Sequence, residues 1–363
     1  MPRRLQRTDP AFVAPLALER REALDRARNP YFRHAEVQFW LALRDGRPVG
    51  RISAQIDRLH LAKFADATGF FGLIEGADRA VFRALFGAAE GWLAERGMGR
   101  AVGPFSLSVN EESGLLVEGF ATPPMVMMGH APAAYGGHVE ACGYARIKDL
   151  LAYDYDIATP LPEGARRMVA RVGDRVRVRA AIRKTYDADV AAALALYNEA
   201  WAANAFALPL TEDERRHMAA SMKPLVDPDL LALAELDGRL AAFAVALPNI
   251  NEAIADLDGR LLPLGWAKLL WRLKVRGVRS ARMPLMGVRP DVAGTPVGAA
   301  LAVMVIDAVR TAALAKGYAR AELSWLLEDN LPVRRLVEAV GARVAKTYRL
   351  YAKALPGAAG AAA

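Results

Sequence analysis

The 363-residue chain has one cysteine, Cys142. A single thiol excludes an internal disulfide and a cysteine-rich metal site, and it suits a reducing compartment. The five histidines, His34, His60, His130, His138 and His217, lack the spacing of a helical metal motif, so no metal site is expected. No Gly-x-Ser-x-Gly elbow occurs, which argues against a serine hydrolase. Long apolar runs are also missing. Val292–Ile306 is free of charge for only 15 residues, and Gly119–Val139 is broken by three prolines and four glycines, so neither reads as a membrane span. The start, MPRRLQRTDPAFVAPL, has no continuous apolar core and is not read as a signal peptide. The expected location is cytoplasmic, with peripheral attachment to the inner membrane left open. The aromatic and basic surface pattern that stacks exposed bases is absent too, and nucleic acid is not expected as a partner.

What is present is ample core material, 53% hydrophobic and 24% charged residues, in a chain long enough for two domains. The formal charge of +8 points to polyanionic partners. A weak internal repeat organises the rest. LRDGRPVGRISAQI (43–56) and ELDGRLAAFAVALP (235–248) each set an Asp-Gly turn between alternating apolar runs, as a β-hairpin does. AERGMGRAVGPFSLSVN (94–110) and ALAKGYARAELSWLLEDN (313–330) each end a helix with glycine and reach an asparagine 13 residues later, Gly97 to Asn110 and Gly317 to Asn330. Between hairpin turn and helix-ending glycine the second half is longer by 28 residues, 80 (237 to 317) against 52 (45 to 97). These features predict an α/β fold with a mixed sheet in two tandem domains, residues 1–160 and 161–355, followed by a disordered tail at 356–363.

The strand-like SARMPLMGV precedes VRPDVAGTPVGAAL (288–301). Thr295 is a good N-cap, Pro296 fits the first helical position, and the helix can run to about Lys316, with Gly317 as C′. A strand, a glycine-containing loop and a helix N-terminus aim backbone N–H groups and the positive end of a dipole at one point, which suits a diphosphate. The first half has no such loop; FGLIEGADRAVFRALF offers only Gly76 before its helix.

At these residues the second half resembles a GNAT acyltransferase domain. That family's loop reads Gln/Arg-x-x-Gly-x-Gly/Ala, and Ala293 to Gly298 keeps only its last position, with Gly294 as an extra glycine and Pro296 removing one donor. NLPVRRLVEAVGA (330–342) matches the family's later motif at Asn330, Leu336 and Gly341 and places Val337 where many members have a tyrosine. The whole chain is similar to a bacterial tandem-GNAT group that includes the ceramide synthases. NPYFRHAEVQFWLALRDGRPVGRI (29–52), GPFSLSVNEESGLLVEGF (103–120), YNEAWAANAFALPLTEDE (197–214), ALPNINEA (246–253) and residues 322–351 carry that resemblance. It implies transfer of a fatty acyl group from long-chain acyl-CoA to the amine of a sphingoid base or another amino lipid. It also implies an acyl-CoA site at Met286, Gly287, Val288, Gly294, Thr295, Val297, Gly298 and Ala299, with the diphosphate at the helix start.

An attacking amine must be neutral, yet an alkyl amine has a pKa near 10.4, so a base is needed. Glu328 is the first candidate, Glu322 the second; Asn330 stands beside them. Tyr348 and Tyr351 are candidate acids for the leaving thiolate, and backbone N–H groups near Met286 to Val288 are candidates for the oxyanion. Asn110, Glu111 and Trp325 are expected at the acceptor. TPPMVMMGHAPAAYGG (122–137) is a candidate lining for an acyl tunnel. The additional residues fall within 248–282, where Trp266, Lys268, Trp271 and Arg272 mix tryptophan with cations, as a helix on an anionic membrane surface does. Two other readings fit the residues: tRNA-dependent aminoacyl transfer of the peptidoglycan cross-bridge type, and a lipid or acyl-CoA sensor without catalysis.

Overall fold

The computed structural model describes residues 2–202 and 207–356. Most of the expected tail, 357–363, lies outside the described residues. The chain divides into two compact units.

The first comprises Met1–Leu150, Ile254–Arg260 and the chain from Lys346. Strands β1 (Ala35–Arg44) and β2 (Arg47–Asp57) form an antiparallel hairpin. Its turn residues Asp45 and Gly46 both have positive φ, 52° and 69°, as a type I′ turn demands. β2 pairs antiparallel with β3 (Thr68–Gly76), which pairs parallel with β4 (Arg100–Gly103). A helix over Arg79–Ala94 lies between those two strands and buries Val81, Phe82, Leu85, Phe86, Ala89 and Leu93. A two-stranded ribbon of β5 (Phe105–Ser106) and β6 (Glu112–Ser113) precedes β7 (Leu115–Glu118) and β8 (Ala145–Asp156).

The second unit comprises Leu151–Ala253 and Leu261–Ala345. β9 (Val176–Ala180), β10 (Leu231–Leu236), β11 (Arg239–Pro248) and β12 (Ser280–Val288) pair antiparallel in that order, and β12 pairs parallel with β13 (Arg320–Leu327). The hairpin, antiparallel and parallel pairings of β10 to β13 repeat those of β1 to β4. The turn at Asp237 and Gly238 repeats as well, with φ of 52° and 79°. Alternating residues supply two cores. Leu231, Leu233, Phe243 and Val245 face the helix Tyr186–Trp201, whereas Ala232, Ala234, Ala242 and Ala244 face the helix Pro296–Ala315. Among the described residues, only Pro296–Ala315 is long and apolar enough to cross a membrane. Its packing accounts for that composition, with Leu301, Val303, Val305, Ile306 and Val309 in the core.

A single cut near residue 160 does not describe this division. β8 leaves the first unit after Leu150, and Leu151, Tyr153, Tyr155 and Ile157 pack in the second unit's core. Conversely β14 (Arg343–Ala354) supplies the first unit, from Lys346 on, with a strand antiparallel to β4 and β7. The lengthened segment lies between β11 and β12, residues 249–279, where the first unit has only 58–67 between β2 and β3.

Candidate active site

β12 and β13 are paired only over Ser280–Met283 and Arg320–Leu323, although both strands continue to Val288 and Leu327. β11 stays with β12 to its end, Ala242 opposite Val288. Beyond Met283 the parallel strands therefore part, and one edge of β12 faces an opening. The indole N–H of Trp201 donates to the Met286 carbonyl at 3.0 Å on that edge. In a strand the N–H and C=O of one residue point the same way, so the Met286 N–H shares this edge. The Trp201 ring meets Trp325 edge-on at 5.9 Å. Gly287 lets the helix Tyr186–Trp201 approach: a side-chain carbon there would stand 3.3 Å from Ala200 Cβ and 2.7 Å from the Phe243 ring.

At the root of the opening lies a buried polar group. Arg282 Nε donates to Ser324 Oγ at 2.8 Å, Ser324 Oγ donates to Glu322 Oε1 at 2.6 Å, and Arg282 stands 3.9 Å from Glu322. Glu322, the second candidate base, is thus tied to a hydroxyl and a guanidinium. Glu328 is half-buried at the end of β13, and its carbonyl accepts from Arg334 Nη1 at 2.7 Å. Asn330 caps the next helix, Leu331–Ala339, by accepting from the Val333 N–H.

After β12 the chain turns through Gly294, at φ 76°, into the helix Pro296–Ala315. Thr295 Oγ1 accepts from the Gly298 N–H at 3.1 Å and donates to the Val292 carbonyl at 2.6 Å. The Ala299 N–H is used by the Thr295 carbonyl. Pro296 has no N–H, so Val297 supplies the first-turn amide left to meet a ligand, together with the helix dipole. Ala293 to Pro296 are exposed. Gly298 is required by packing, because a side chain would overlap the Val292 carbonyl. Arg289 is committed to Asp291, Nε to Oδ1 2.6 Å, a bond that holds the Asp291 carboxyl below its usual range.

The first unit differs at the equivalent corner. Its helix Arg79–Ala94 is capped by Asp78, which accepts from the Val81 N–H at 3.0 Å and pairs with Arg44 at 2.7 Å. Those bonds keep its carboxyl below the usual range, so a fixed anion occupies the place where the second unit has a neutral hydroxyl. Elsewhere in this unit Glu111 is half-buried and accepts from the Leu107 N–H at 2.8 Å; desolvation outweighs that bond and pushes its carboxyl up to about 7. Asn110 is half-buried beside it, its N–H donating to Ser108 Oγ, and Glu112 pairs with Arg20. Tyr348 is fully buried on β14, in register with Leu116, and Tyr351 lies opposite Gly103. The methionine-rich stretch places Val126 and Met128 in core positions. His34 and His130 are each paired with an acid, Asp57 at 3.1 Å and Asp9 at 2.8 Å.

Trp266 and Trp271 are each 53% exposed on the helix Gly265–Trp271. Leu262, Leu264, Leu270 and Val275 are also exposed, as are Lys268, Lys274 and Arg276. Arg272 instead donates to the Ala253 carbonyl at 2.7 Å and anchors this segment.

Of the sequence candidates, Met286, Gly287, Val288, Glu322, Glu328, Asn330 and Trp325 and the residues Gly294–Ala299 all belong to the second unit, whereas Asn110, Glu111 and Tyr348 belong to the first. Trp201, Arg282 and Ser324 carry no local sequence signal of their place here. Their partners lie 85 and 42 positions away, beyond the reach of local spacing.

No family model matches the chain. It is 49% identical over 358 residues to the bacterial ceramide synthase of Caulobacter vibrioides, covering 98% of this chain and 93% of that one. It is 43% identical over 358 residues to protein YghO of Escherichia coli K12, covering 97% and 90%. A tandem GNAT protein from the clavulanic acid biosynthesis pathway shares the fold, with a TM-score of 0.51 at 12% identity over 89% of this chain and 84% of that one. A GCN5-related N-acetyltransferase from Sphaerobacter thermophilus is similar at a TM-score of 0.50 and 15% identity, over 86% and 78%.

Proposed function

The chain belongs to the family of the Caulobacter bacterial ceramide synthase, a group of GNAT-fold acyltransferases, and we propose that it moves a fatty acyl group from acyl-CoA to the amine of a sphingoid base, 3-ketosphinganine or sphinganine. One observation carries this reading: the second unit combines an unpaired strand edge at Met286 with a neutrally capped helix N-terminus at Thr295. The first unit has an anionic cap at that corner, which opposes a diphosphate.

In this mechanism the diphosphate of the donor meets the Val297 amide and the positive end of the helix dipole, with Gly294 and Thr295 shaping the approach. The thioester carbonyl lies along the β12 edge, and the Met286 N–H receives the oxyanion. Glu328 takes the proton of the incoming ammonium. The neutral nitrogen attacks the carbonyl carbon, the tetrahedral intermediate collapses as the C–S bond breaks, and the second proton of the nitrogen passes through solvent to the departing thiolate, giving an amide and a free thiol. A thiol has a pKa near 8.5, so the thiolate leaves without a dedicated acid, and no step is routed through Tyr348. Glu322 serves to hold Arg282.

The exposed Leu262, Leu264, Trp266, Leu270, Trp271 and Val275, flanked by Lys268, Lys274 and Arg276, suit attachment to an anionic membrane surface where an amino lipid resides. Incubating the pure protein with palmitoyl-CoA and 3-ketosphinganine tests the reaction. Amide product and free thiol should appear in equal amounts; tight binding of palmitoyl-CoA with no amide would replace catalysis by sensing.

A further inference from the structure

The second unit holds an apolar cavity on the face of its sheet opposite the helix Pro296–Ala315. Its walls include Val190 and Leu194 of the helix Tyr186–Trp201, Met218 and Met222 of the helix Glu212–Met222, Phe243 of β11 and Leu285 of β12. We propose that this chamber takes the hydrocarbon tail of the acyl donor, which it reaches from the edge of β12; the proposal rests on the donor-site reading above.

Continuity with that site is the first argument. Leu285 and Gly287 face the helix Tyr186–Trp201, while Met286 and Val288 pack with the opposite core. A thioester carbonyl at the Met286 N–H therefore stands one residue, about 3.3 Å along the strand, from the cavity wall.

The second argument is how the cavity is closed. The helix Glu212–Met222 contributes no buried residue and covers the chamber with half-buried Met218, Ala219 and Met222. Its start is fixed: Thr211 and Glu214 form a capping box, and Asn198 exchanges two hydrogen bonds with Leu210, at 2.9 and 3.0 Å. Its far end is tied to the neighbouring helix by an exposed ion pair, Lys223 to Asp187, a contact of small worth. Only about 30 Å³ is open between the walls, far less than a hydrocarbon tail needs, so a tail enters by moving side chains. Methionine adapts to such filling at low cost.

The experiment compares binding of CoA, octanoyl-CoA and palmitoyl-CoA by calorimetry in the wild type, Ala219→Phe and Met218→Ala/Met222→Ala. The wild type should bind palmitoyl-CoA at least 10-fold more tightly than CoA. Ala219→Phe should erase most of that gain while leaving CoA affinity within about twofold, and the double alanine variant should keep the gain and extend it to a longer acyl chain. If palmitoyl-CoA binds the wild type no better than CoA, the chamber proposal fails and the donor site stands. Failure to bind CoA in any form sinks both. If Ala219→Phe leaves all donor affinities intact and raises only the KM for the sphingoid base, the chamber belongs to the acceptor tail and the proposal is overturned. A loss of CoA affinity in Ala219→Phe marks a damaged fold, and the double variant then decides: an unchanged chain-length preference refutes the chamber.

Discussion

Replacing Thr295 with aspartate isolates the electrostatics of the donor corner. Thr295 accepts from the Gly298 N–H at 3.1 Å, and aspartate and asparagine both cap helices at least as well as threonine. Both lose the hydroxyl that donates to the Val292 carbonyl; the asparagine amide can still donate to it and the aspartate carboxylate cannot. The two variants therefore differ mainly by one negative charge, the charge that Asp78 carries at the first unit's corner. A carboxylate about 5 Å from a diphosphate oxygen is repelled by roughly 1–3 kcal/mol per unit charge, for an effective dielectric between that of water and about 20. At 1.4 kcal/mol per decade, Thr295→Asp should weaken CoA binding by about 10- to 100-fold, and Thr295→Asn by less than about threefold. The melting temperatures of the two variants should agree within a few degrees. Calorimetric titration at low and high salt reads the effect, and the gap between the variants should narrow as ionic strength rises. Equal CoA affinity in the two variants at low salt would refute the placement of the diphosphate.

Three further outcomes follow from particular side chains. Glu111 has a folded pKa of about 7, above its ordinary 4.5, so the folded state holds the extra proton and wild-type stability should fall as pH rises from about 4.5 to 7. Glu111→Gln removes that slope and should gain roughly 1–2 kcal/mol over wild type at pH 8, after allowance for solvent screening of a half-buried group, with no gain at pH 4; parallel urea curves at both pH values would contradict this. Arg282→Met leaves Glu322 buried without its cation and should cost about 3–5 kcal/mol in urea unfolding, whereas Arg282→Met/Glu322→Met should recover much of it. Trp266→Ala/Trp271→Ala should lower flotation with anionic vesicles several-fold at an unchanged melting temperature, since both rings are half exposed; unaltered flotation would reject the membrane surface.

The parts legible in the sequence are those set by local backbone chemistry. Asp45-Gly46 and Asp237-Gly238 demand left-handed conformations and so announced both hairpins. Thr295 and Pro296 fixed the start of a helix, Gly317 its end at φ 84°, and the unequal spacing of the repeats located the segment between β11 and β12. The exchange of β8 and β14 was not legible, because a strand's apolar pattern shows that it is buried and not which sheet buries it. The same limit hid Arg282 and Ser324, whose bond depends on the register of two parallel strands, and Trp201, whose indole meets a backbone carbonyl that carries no sequence signal. Asn110 and Asn330 matched in spacing, yet one precedes β6 and β7 and the other caps a helix; spacing alone does not choose between ribbon and helix.

Hydrogen–deuterium exchange of the whole protein, with and without CoA, tests the donor corner most directly. Peptides spanning 289–300 should become protected, with Val297 foremost, while those spanning 76–84 stay unchanged. Protection at the Asp78 corner, with none at Thr295, would contradict the assignment of the thioester donor to the second unit.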